Sequence, residues 1–143
     1  MEKKDLKPAG VFKYFEEICQ VPRPSKKEEK IIAYLKAFGA KHNLETNVDE
    51  AGNVLIKKPA TPGKENLQTV ILQSHIDMVC EKNNDVQHDF LTDPIETEID
   101  GEWLKAKGTT LGADNGIGVA TELAILADDS IEHGPLECLF TVD

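Results

Sequence analysis

The chain has 143 residues, which suffices for one domain or a part of one, since domains commonly contain about 100–150 residues. With 40% hydrophobic and 29% charged residues, the composition is typical of a water-soluble globular protein. The formal net charge of −10 repels phosphate backbones, so nucleic acid is not an expected partner.

The cysteines and the apolar runs indicate where such a protein would reside. Cys19, Cys80 and Cys138 are odd in number and widely spaced, which argues against a disulfide scaffold and for a reducing compartment. No apolar signal segment follows the charged N-terminus, and no apolar run approaches the roughly 20 residues that span a bilayer. The sequence therefore predicts a cytoplasmic protein without membrane contact.

Three helices are predicted from apolar residues at helical spacing. The first covers about residues 8–20, and the two prolines within residues 21–24 end it because proline cannot donate a helical hydrogen bond. The Ser-Lys-Lys-Glu stretch at residues 25–28 resembles a capping box that opens the second helix, which ends near residues 39–43. The third helix is predicted over residues 117–126.

Strand patterns occupy much of the remaining chain. Hairpins are predicted around residues 50–52 and 100–101, and Trp103 is expected to be a partly buried anchor of the second hairpin. Two further strands, over residues 68–75 and 136–142, are apolar enough to be covered on both faces. Helices that alternate with such strands predict an α/β fold with a sheet between helix layers.

His75 and Asp77 form the first candidate for chemistry. Side chains two residues apart in a strand point the same way, so both are expected to project beyond the carboxyl end of this strand, where α/β sheets place ligands. An imidazole that binds a metal usually donates its other N–H to a carboxylate, which is a role for Asp77. An ordinary hydrogen bond that caps the strand is the alternative, and the His-x-Asp pattern alone leaves both open.

Asp114 is the second candidate, and it lies in the glycine-rich stretch of residues 108–118 just before a helix. A phosphate cradle is excluded because no G-x-G-x-x-G or G-K-[ST] pattern is present and the central residue is itself an anion. A helix N-cap is a simpler role for an aspartate, but it does not require so many glycines. The glycines indicate an unusual backbone that presents the Asp114 carboxylate.

Two other groups are weaker candidates. Cys80 follows the His–Asp pair closely, but a single cysteine without a positioned base is expected to be an inert packing residue. His88 and Asp89 lie in an irregular polar stretch, where loop-stabilising hydrogen bonds are favoured over metal binding.

Three stretches in combination are specific enough to indicate a protein family: His75-Ile76-Asp77-Met78-Val79, then His88-Asp89-Phe90 with Asp93-Pro94-Ile95, and Asp100-Gly101-Glu102-Trp103-Leu104 onward to Gly118. Together they resemble the aminoacyl-histidine (Xaa-His, β-alanyl-histidine) dipeptidases, a branch of the co-catalytic zinc peptidases. The resemblance covers the whole chain and implies a three-layer α/β sandwich with a central mixed sheet flanked by helices. Residues 1–143 would be the N-terminal part of that catalytic domain, without its remainder or its lid domain.

The resemblance also implies roles for the candidate residues. His75 would be a terminal ligand of one zinc ion, Asp77 the catalytic carboxylate that orients His75, and Asp114 the bridge between two zinc ions. The Asp114–Asn115 peptide bond is expected to be cis. A complete site would hold two zinc ions, with cobalt or manganese as possible substitutes.

The implied activity is the hydrolysis of dipeptides, Xaa-His dipeptides in particular, by a metal-activated water. The substrate would be a small peptide and the parent enzyme a homodimer. A proton-shuttling Glu and an adjacent Glu ligand are expected directly after Asp143, so the 143 residues alone are expected to be inactive. A tripeptidase, an N-acyl-amino-acid amidohydrolase and a non-catalytic metal- or peptide-binding domain are the alternatives. The strand over residues 136–142 is expected to be central in the full sheet and to leave an unpaired edge here.

Overall fold

Helices and strands alternate along the chain, and the computed structural model describes residues 1–143. After a short 3-10 turn at Lys3–Asp5, the elements are α1 (Ala9–Cys19), α2 (Glu29–Lys41), β1 (Glu45–Val48), β2 (Val54–Lys58), β3 (Val70–His75), β4 (Thr97–Asp100), β5 (Trp103–Ala106), α3 (Ala113–Ala127) and β6 (Leu136–Thr141). None of the helices combines the length and the apolar character needed to cross a membrane.

Four strands form a mixed sheet in the order β1-β2-β6-β3. Strand β2 runs antiparallel to β1 and to β6, whereas β6 and β3 are parallel. The predicted α/β class with a central mixed sheet and packed helices is therefore confirmed. Strand β6 is central, but the expectation that it leaves an unpaired edge is wrong, because Cys138 pairs with Ile56 of β2 on one side and with Leu72 of β3 on the other. The edge strands of the sheet are β1 and β3.

A single hydrophobic cluster joins the helices to one face of this sheet. The most deeply buried strand side chains share that face: Val54, Ile56, Ser74, Cys138 and Phe140. Residues of the three helices complete it, among them Phe15, Ile18, Ile31, Leu35, Val119 and Leu123. The expectation that β3 is covered on both faces is wrong, because the helices cover one face of the sheet and Ile71, on the opposite face, is 64% exposed.

Helix α3 packs against both α1 and β3. Since β3 ends at His75 and α3 begins at Ala113, this packing brings the carboxyl end of the strand next to the N-terminus of the helix. The two segments that carry the candidate residues are thus neighbours in space although they are far apart in sequence.

Both predicted hairpins are present. In the turn between β1 and β2, Oδ1 of Asp49 accepts hydrogen bonds from the backbone N–H groups of Ala51, Gly52 and Asn53, each at 2.9 Å. Strands β4 and β5 form the second hairpin as a separate two-stranded sheet. The expectation for Trp103 is wrong: this side chain is 75% exposed, because it shares the outer face of β5 with Lys105.

Candidate metal centre

The carboxyl end of β3 presents His75 and Asp77 on the same side, as the alternation of side chains along a strand requires. Nδ1 of the His75 ring lies 3.1 Å from Oδ1 of Asp77. The Asp77 side chain is only 15% exposed, so it lies behind the imidazole rather than at the surface. This arrangement leaves Nε2 of His75 pointing away from Asp77.

Asp114 lies at the beginning of α3, where the backbone departs from helical geometry. Its dihedral angles are φ −97° and ψ 103°, and the Asp114–Asn115 peptide bond is cis, as predicted. The helix N-cap is Gly112, with φ +79°, so Asp114 is not a capping residue. Its side chain is 97% exposed and free to face a neighbour or a ligand.

His75 and Asp114, 39 residues apart in sequence, meet at this place. Nε2 of His75 lies 3.0 Å from Oδ1 of Asp114. The three predicted residues therefore form one row, in which a half-exposed imidazole has a carboxylate at each of its ring nitrogens.

The two carboxylates change the acidity of His75. Its partial burial lowers the pKa, but the hydrogen bonds and the negative charges of Asp114 and Asp77 outweigh that effect, so the pKa of His75 is raised above its ordinary value. Both ring nitrogens can donate to a carboxylate only when the ring is protonated. In the absence of a metal ion, the two carboxylates thus stabilise the protonated form of the His75 ring. A metal ion at Nε2 would take the place of the proton there.

Ser25 is a member of the site that the sequence pattern did not reveal. Its hydroxyl group donates a hydrogen bond to Oδ2 of Asp77, and its backbone N–H donates to the carbonyl of Met78 at 3.2 Å. The predicted capping box is wrong, because α2 starts at Glu29 with Glu28 as its N-cap and no side-chain cap bond. The Ser-x-x-Glu spacing suggested a helix start, and nothing local indicated a partner 52 residues away.

Arg23 is a second residue that the sequence analysis missed. Its buried guanidinium donates to the backbone carbonyls of Ile76 and Gly112, at 3.2 Å and 2.8 Å. The arginine therefore contacts both of the segments that carry the row.

The weaker candidates lie outside this arrangement. Sγ of Cys80 donates to the carbonyl of Met78 at 3.6 Å, and burial raises the pKa of the thiol, which keeps it protonated and weakly nucleophilic. The ring of His88 packs against the ring of Phe90 with 4.5 Å between centroids and 58° between the planes, while Oδ1 of Asp89 accepts from the backbone N–H of Leu91. His88 and Asp89 thus make separate local contacts.

The chemistry of the row fits part of a zinc site. Imidazole nitrogen and carboxylate oxygen are ordinary zinc ligands, and Nε2 of His75 and the exposed carboxylate of Asp114 converge on one point. Asp77 occupies the position of a carboxylate that accepts from the other ring nitrogen of a ligand histidine. No group of three or more His, Cys, Asp or Glu side chains in the chain is placed to hold a metal ion, so these residues supply two ligands.

Known proteins resemble the chain over nearly its full length. The cytosol non-specific dipeptidase of Escherichia coli is 51% identical over 141 residues, which are 99% of this chain and 29% of that protein. The crystal structure of the aminoacylhistidine dipeptidase from Vibrio alginolyticus matches with a TM-score of 0.97 and 53% identity, over 100% of this chain and 29% of that one.

The resemblance predicted from the sequence is confirmed. The chain is similar throughout to dipeptidases and spans 29% of the length of each of these two relatives. A tripeptidase from Staphylococcus aureus, 22% identical with a TM-score of 0.73 over 93% of this chain and 36% of that one, shares the fold. No family model matches the chain.

Proposed function

We propose that residues 1–143 form the N-terminal part of the catalytic domain of a zinc-dependent dipeptidase that acts on Xaa-His dipeptides. One observation carries the proposal: a solvent-facing imidazole and carboxylate, His75 and Asp114, meet at 3.0 Å with Asp77 behind the imidazole. Two dipeptidases are 51% and 53% identical to this chain over nearly its full length, which supports the reaction class.

In this proposal the metal is held by Nε2 of His75 and by the carboxylate of Asp114. Zinc, when bound, lowers the pKa of a water molecule and polarises the scissile carbonyl group. The role of these residues is to hold the ligands in place and to keep the ring of His75 in the tautomer that leaves Nε2 unprotonated.

Asp77 controls that tautomer. With Oδ1 it accepts the hydrogen bond from Nδ1 of His75, so the remaining ring proton stays on Nδ1 and the lone pair of Nε2 is available. Oδ2 of Asp77 accepts from the hydroxyl group of Ser25, which prevents the carboxylate from rotating away. The hydrogen bonds from Ser25 to Asp77 and from His75 to Asp77 thereby set the direction of the ligand nitrogen.

The 143 residues supply fewer metal ligands than a complete catalytic zinc site needs. Zinc in catalytic sites takes about three protein ligands per ion, and this chain brings together two ligand side chains. We therefore expect weak binding of one zinc ion and no hydrolysis of dipeptides by the 143 residues alone.

The cellular setting belongs to the same proposal. A cytoplasmic location and a small peptide as substrate are supported by the likeness to the dipeptidases, one of which is described as cytosolic. A homodimeric parent enzyme stays a prediction from the family resemblance of the sequence.

A chimera tests the proposed function. Residues 1–143 replace the matching segment of the Escherichia coli dipeptidase, and hydrolysis of a Xaa-His dipeptide is measured with zinc present. We expect activity in the chimera, and a loss of roughly 100-fold or more in His75→Ala and Asp114→Asn, because each removes a metal ligand. Asp129→Asn, which alters an exposed carboxylate away from the row, is the matched control.

Three results would contradict the proposal. Full activity in His75→Ala or Asp114→Asn would remove these residues from the metal site. A chimera that folds but cleaves only tripeptides or N-acyl amino acids would overturn the substrate class. A folded chimera that binds zinc without hydrolysing any of these substrates would favour a non-catalytic binding domain.

A further inference from the structure

Arg23 is the sole arginine of the sequence, and it is 2% exposed. Arginine is rarely buried without a carboxylate partner, because the charge must be removed from water. Yet Arg23 takes part in none of the ion pairs of the structure. Its guanidinium donates instead to three backbone carbonyls, those of Ile76 at 3.2 Å, Asp77 at 3.4 Å and Gly112 at 2.8 Å.

These carbonyls belong to the two segments that meet at the candidate metal centre. Ile76 and Asp77 directly follow His75 at the end of β3, and Gly112 lies two residues before Asp114 at the start of α3. A planar guanidinium with fixed donors holds both segments at a defined separation. Arg23 is therefore a cross-link between the backbone beside one ligand and the backbone beside the other.

Two glycines make room for this cross-link. A Cβ atom at Gly112 would lie 2.6 Å from Nη2 of Arg23, and a Cβ atom at Gly116 would lie 2.7 Å from the same nitrogen. Both distances are too short for a side chain, so the loop can approach the guanidinium only with glycine at these positions. The glycines around Asp114 thus serve the arginine as well as the local backbone.

The segment that carries Arg23 is itself attached to the end of β3. The backbone N–H of Met78 donates to the carbonyl of Arg23 at 3.0 Å, and that of Ser25 donates to the carbonyl of Met78 at 3.2 Å. This pairing continues the sheet contacts past His75 and fixes the direction from which the guanidinium reaches Gly112.

We propose that Arg23 is a positioning residue that sets the separation of His75 and Asp114 and thereby the affinity of the site for zinc. This inference rests on the proposed metal centre. Its physical basis is that a buried cation joins the backbones directly beside the two ligands through three hydrogen bonds. The other backbone hydrogen bonds between the two segments, such as that from the backbone N–H of Thr110 to the carbonyl of Glu81, lie farther along the chain from His75.

The test compares zinc affinity, by competition titration, in the 143-residue chain and in Arg23→Gln. We expect a loss of about 10–100-fold, the effect typical of residues that orient metal ligands. Lys58→Gln is the matched control, because Nζ of Lys58 also donates to two backbone carbonyls, those of Ile125 and Asp128, at the far end of α3. It is expected to leave the zinc affinity unchanged although it also removes a cation from the fold.

A second readout does not depend on zinc. In the metal-free chain, nuclear Overhauser effects between the ring protons of His75 and the β protons of Asp114 report their separation. We expect them in the wild type and in Lys58→Gln, and expect them to be weakened or lost in Arg23→Gln. If Arg23→Gln does not fold, Gly116→Ala, which keeps the arginine but displaces its guanidinium, takes its place with the same expected results.

The outcomes separate this inference from the proposed function. If the wild type shows the contacts but binds no zinc, the proposed metal site fails, and loss of the contacts in the Arg23 variant still supports the positioning role. If the folded variants keep both the contacts and the zinc affinity, the positioning role is overturned while the metal site stands. An equal loss of zinc affinity in Lys58→Gln would also overturn it, since the effect would then be general.

Discussion

The imidazole of His75 lies between two carboxylates, each of which contacts one ring nitrogen. Asp77 is nearly buried and held by Ser25, whereas Asp114 is almost fully exposed. The two carboxylates therefore have different tasks: the first fixes the orientation of the ring, and the second is available to a cation that takes the place of the proton on Nε2.

The raised pKa of His75 leads to a pH-dependent stability in the metal-free chain. A histidine whose pKa is higher in the folded state contributes stability that is fully present below about pH 6.5, its ordinary value, and is lost as the pH rises through the folded pKa. Asp114→Asn removes one of the partners that raise this pKa. We therefore expect Asp114→Asn to destabilise the chain at pH 5.5 and to have little effect at pH 8.5.

Urea unfolding at the two pH values measures this difference, and an NMR titration of the His75 ring protons gives the pKa directly. Asp129→Asn is the control for the loss of a negative charge. A His75 pKa in the wild type at or below 6.5, or an Asp114→Asn effect that grows with pH, would contradict the prediction.

Helix α3 has two acidic residues with opposite surroundings. Asp114 at its start faces solvent, whereas Glu122 in its second half is buried beside Ser74 of β3 and Cys138 of β6. Oε2 of Glu122 has no hydrogen-bond partner. Burial raises the pKa of this carboxyl group to about 7, and the nearby hydroxyl and thiol groups offset only part of that effect.

Glu122 is expected to make the chain less stable as the pH rises from about 4.5 to about 7. Over that range the unfolded chain loses the proton while the folded chain keeps it, so unfolding becomes progressively easier. Glu122→Gln keeps the shape without the charge, and Ser74 can accept from its amide. We expect this variant to equal the wild type near pH 4 and to be more stable by about 2–3 kcal/mol at pH 8.

Denaturant unfolding of both proteins between pH 4 and pH 8 measures the effect of Glu122. Glu132 is an exposed glutamate, and Glu132→Gln is the control that should leave the pH dependence of the unfolding free energy unchanged. The explanation fails if the unfolding free energies of the wild type and of Glu122→Gln change with pH in parallel over the whole range.

At the scale of the whole molecule, the position of β3 at the sheet edge has consequences for association. Its outer edge has no partner strand, and Val70 and Ile71 are half-exposed or more. An unpaired edge with exposed apolar side chains favours pairing with another chain. We expect the 143-residue chain to self-associate through this edge.

Ile71→Lys places a charge on the edge and is expected to shift the chain toward monomer, with a change in unfolding free energy within about 0.5 kcal/mol. Sedimentation velocity over a range of concentrations measures the association. Val79→Lys is the control, because Val79 is also exposed but lies beyond the end of β3. Equal association in the wild type and in Ile71→Lys would show that this edge is not the contact.

The burial of individual strands illustrates what a sequence pattern cannot indicate. The apolar run in β3 is as hydrophobic as that in β6, yet β6 is central and β3 is at the edge. Trp103 was expected to be an anchor because tryptophan is large and apolar, but the two-stranded sheet presents it outward. In both cases the side chain was interpreted correctly as apolar, while its burial depended on which other elements cover it.

The sequence by itself determined the α/β class, the helices and hairpins, the three residues of the row and the cis peptide bond at Asp114, because these follow from local spacing or from a motif with a specific resemblance. Only the tertiary structure revealed Arg23 and Ser25 at the site and showed β3 at the sheet edge. Hydrogen bonds from Arg23 to Gly112 and from Ser25 to Asp77 join residues 89 and 52 positions apart, and no local pattern encodes such contacts. They exist because α3 and residues 23–25 pack together around the end of one strand.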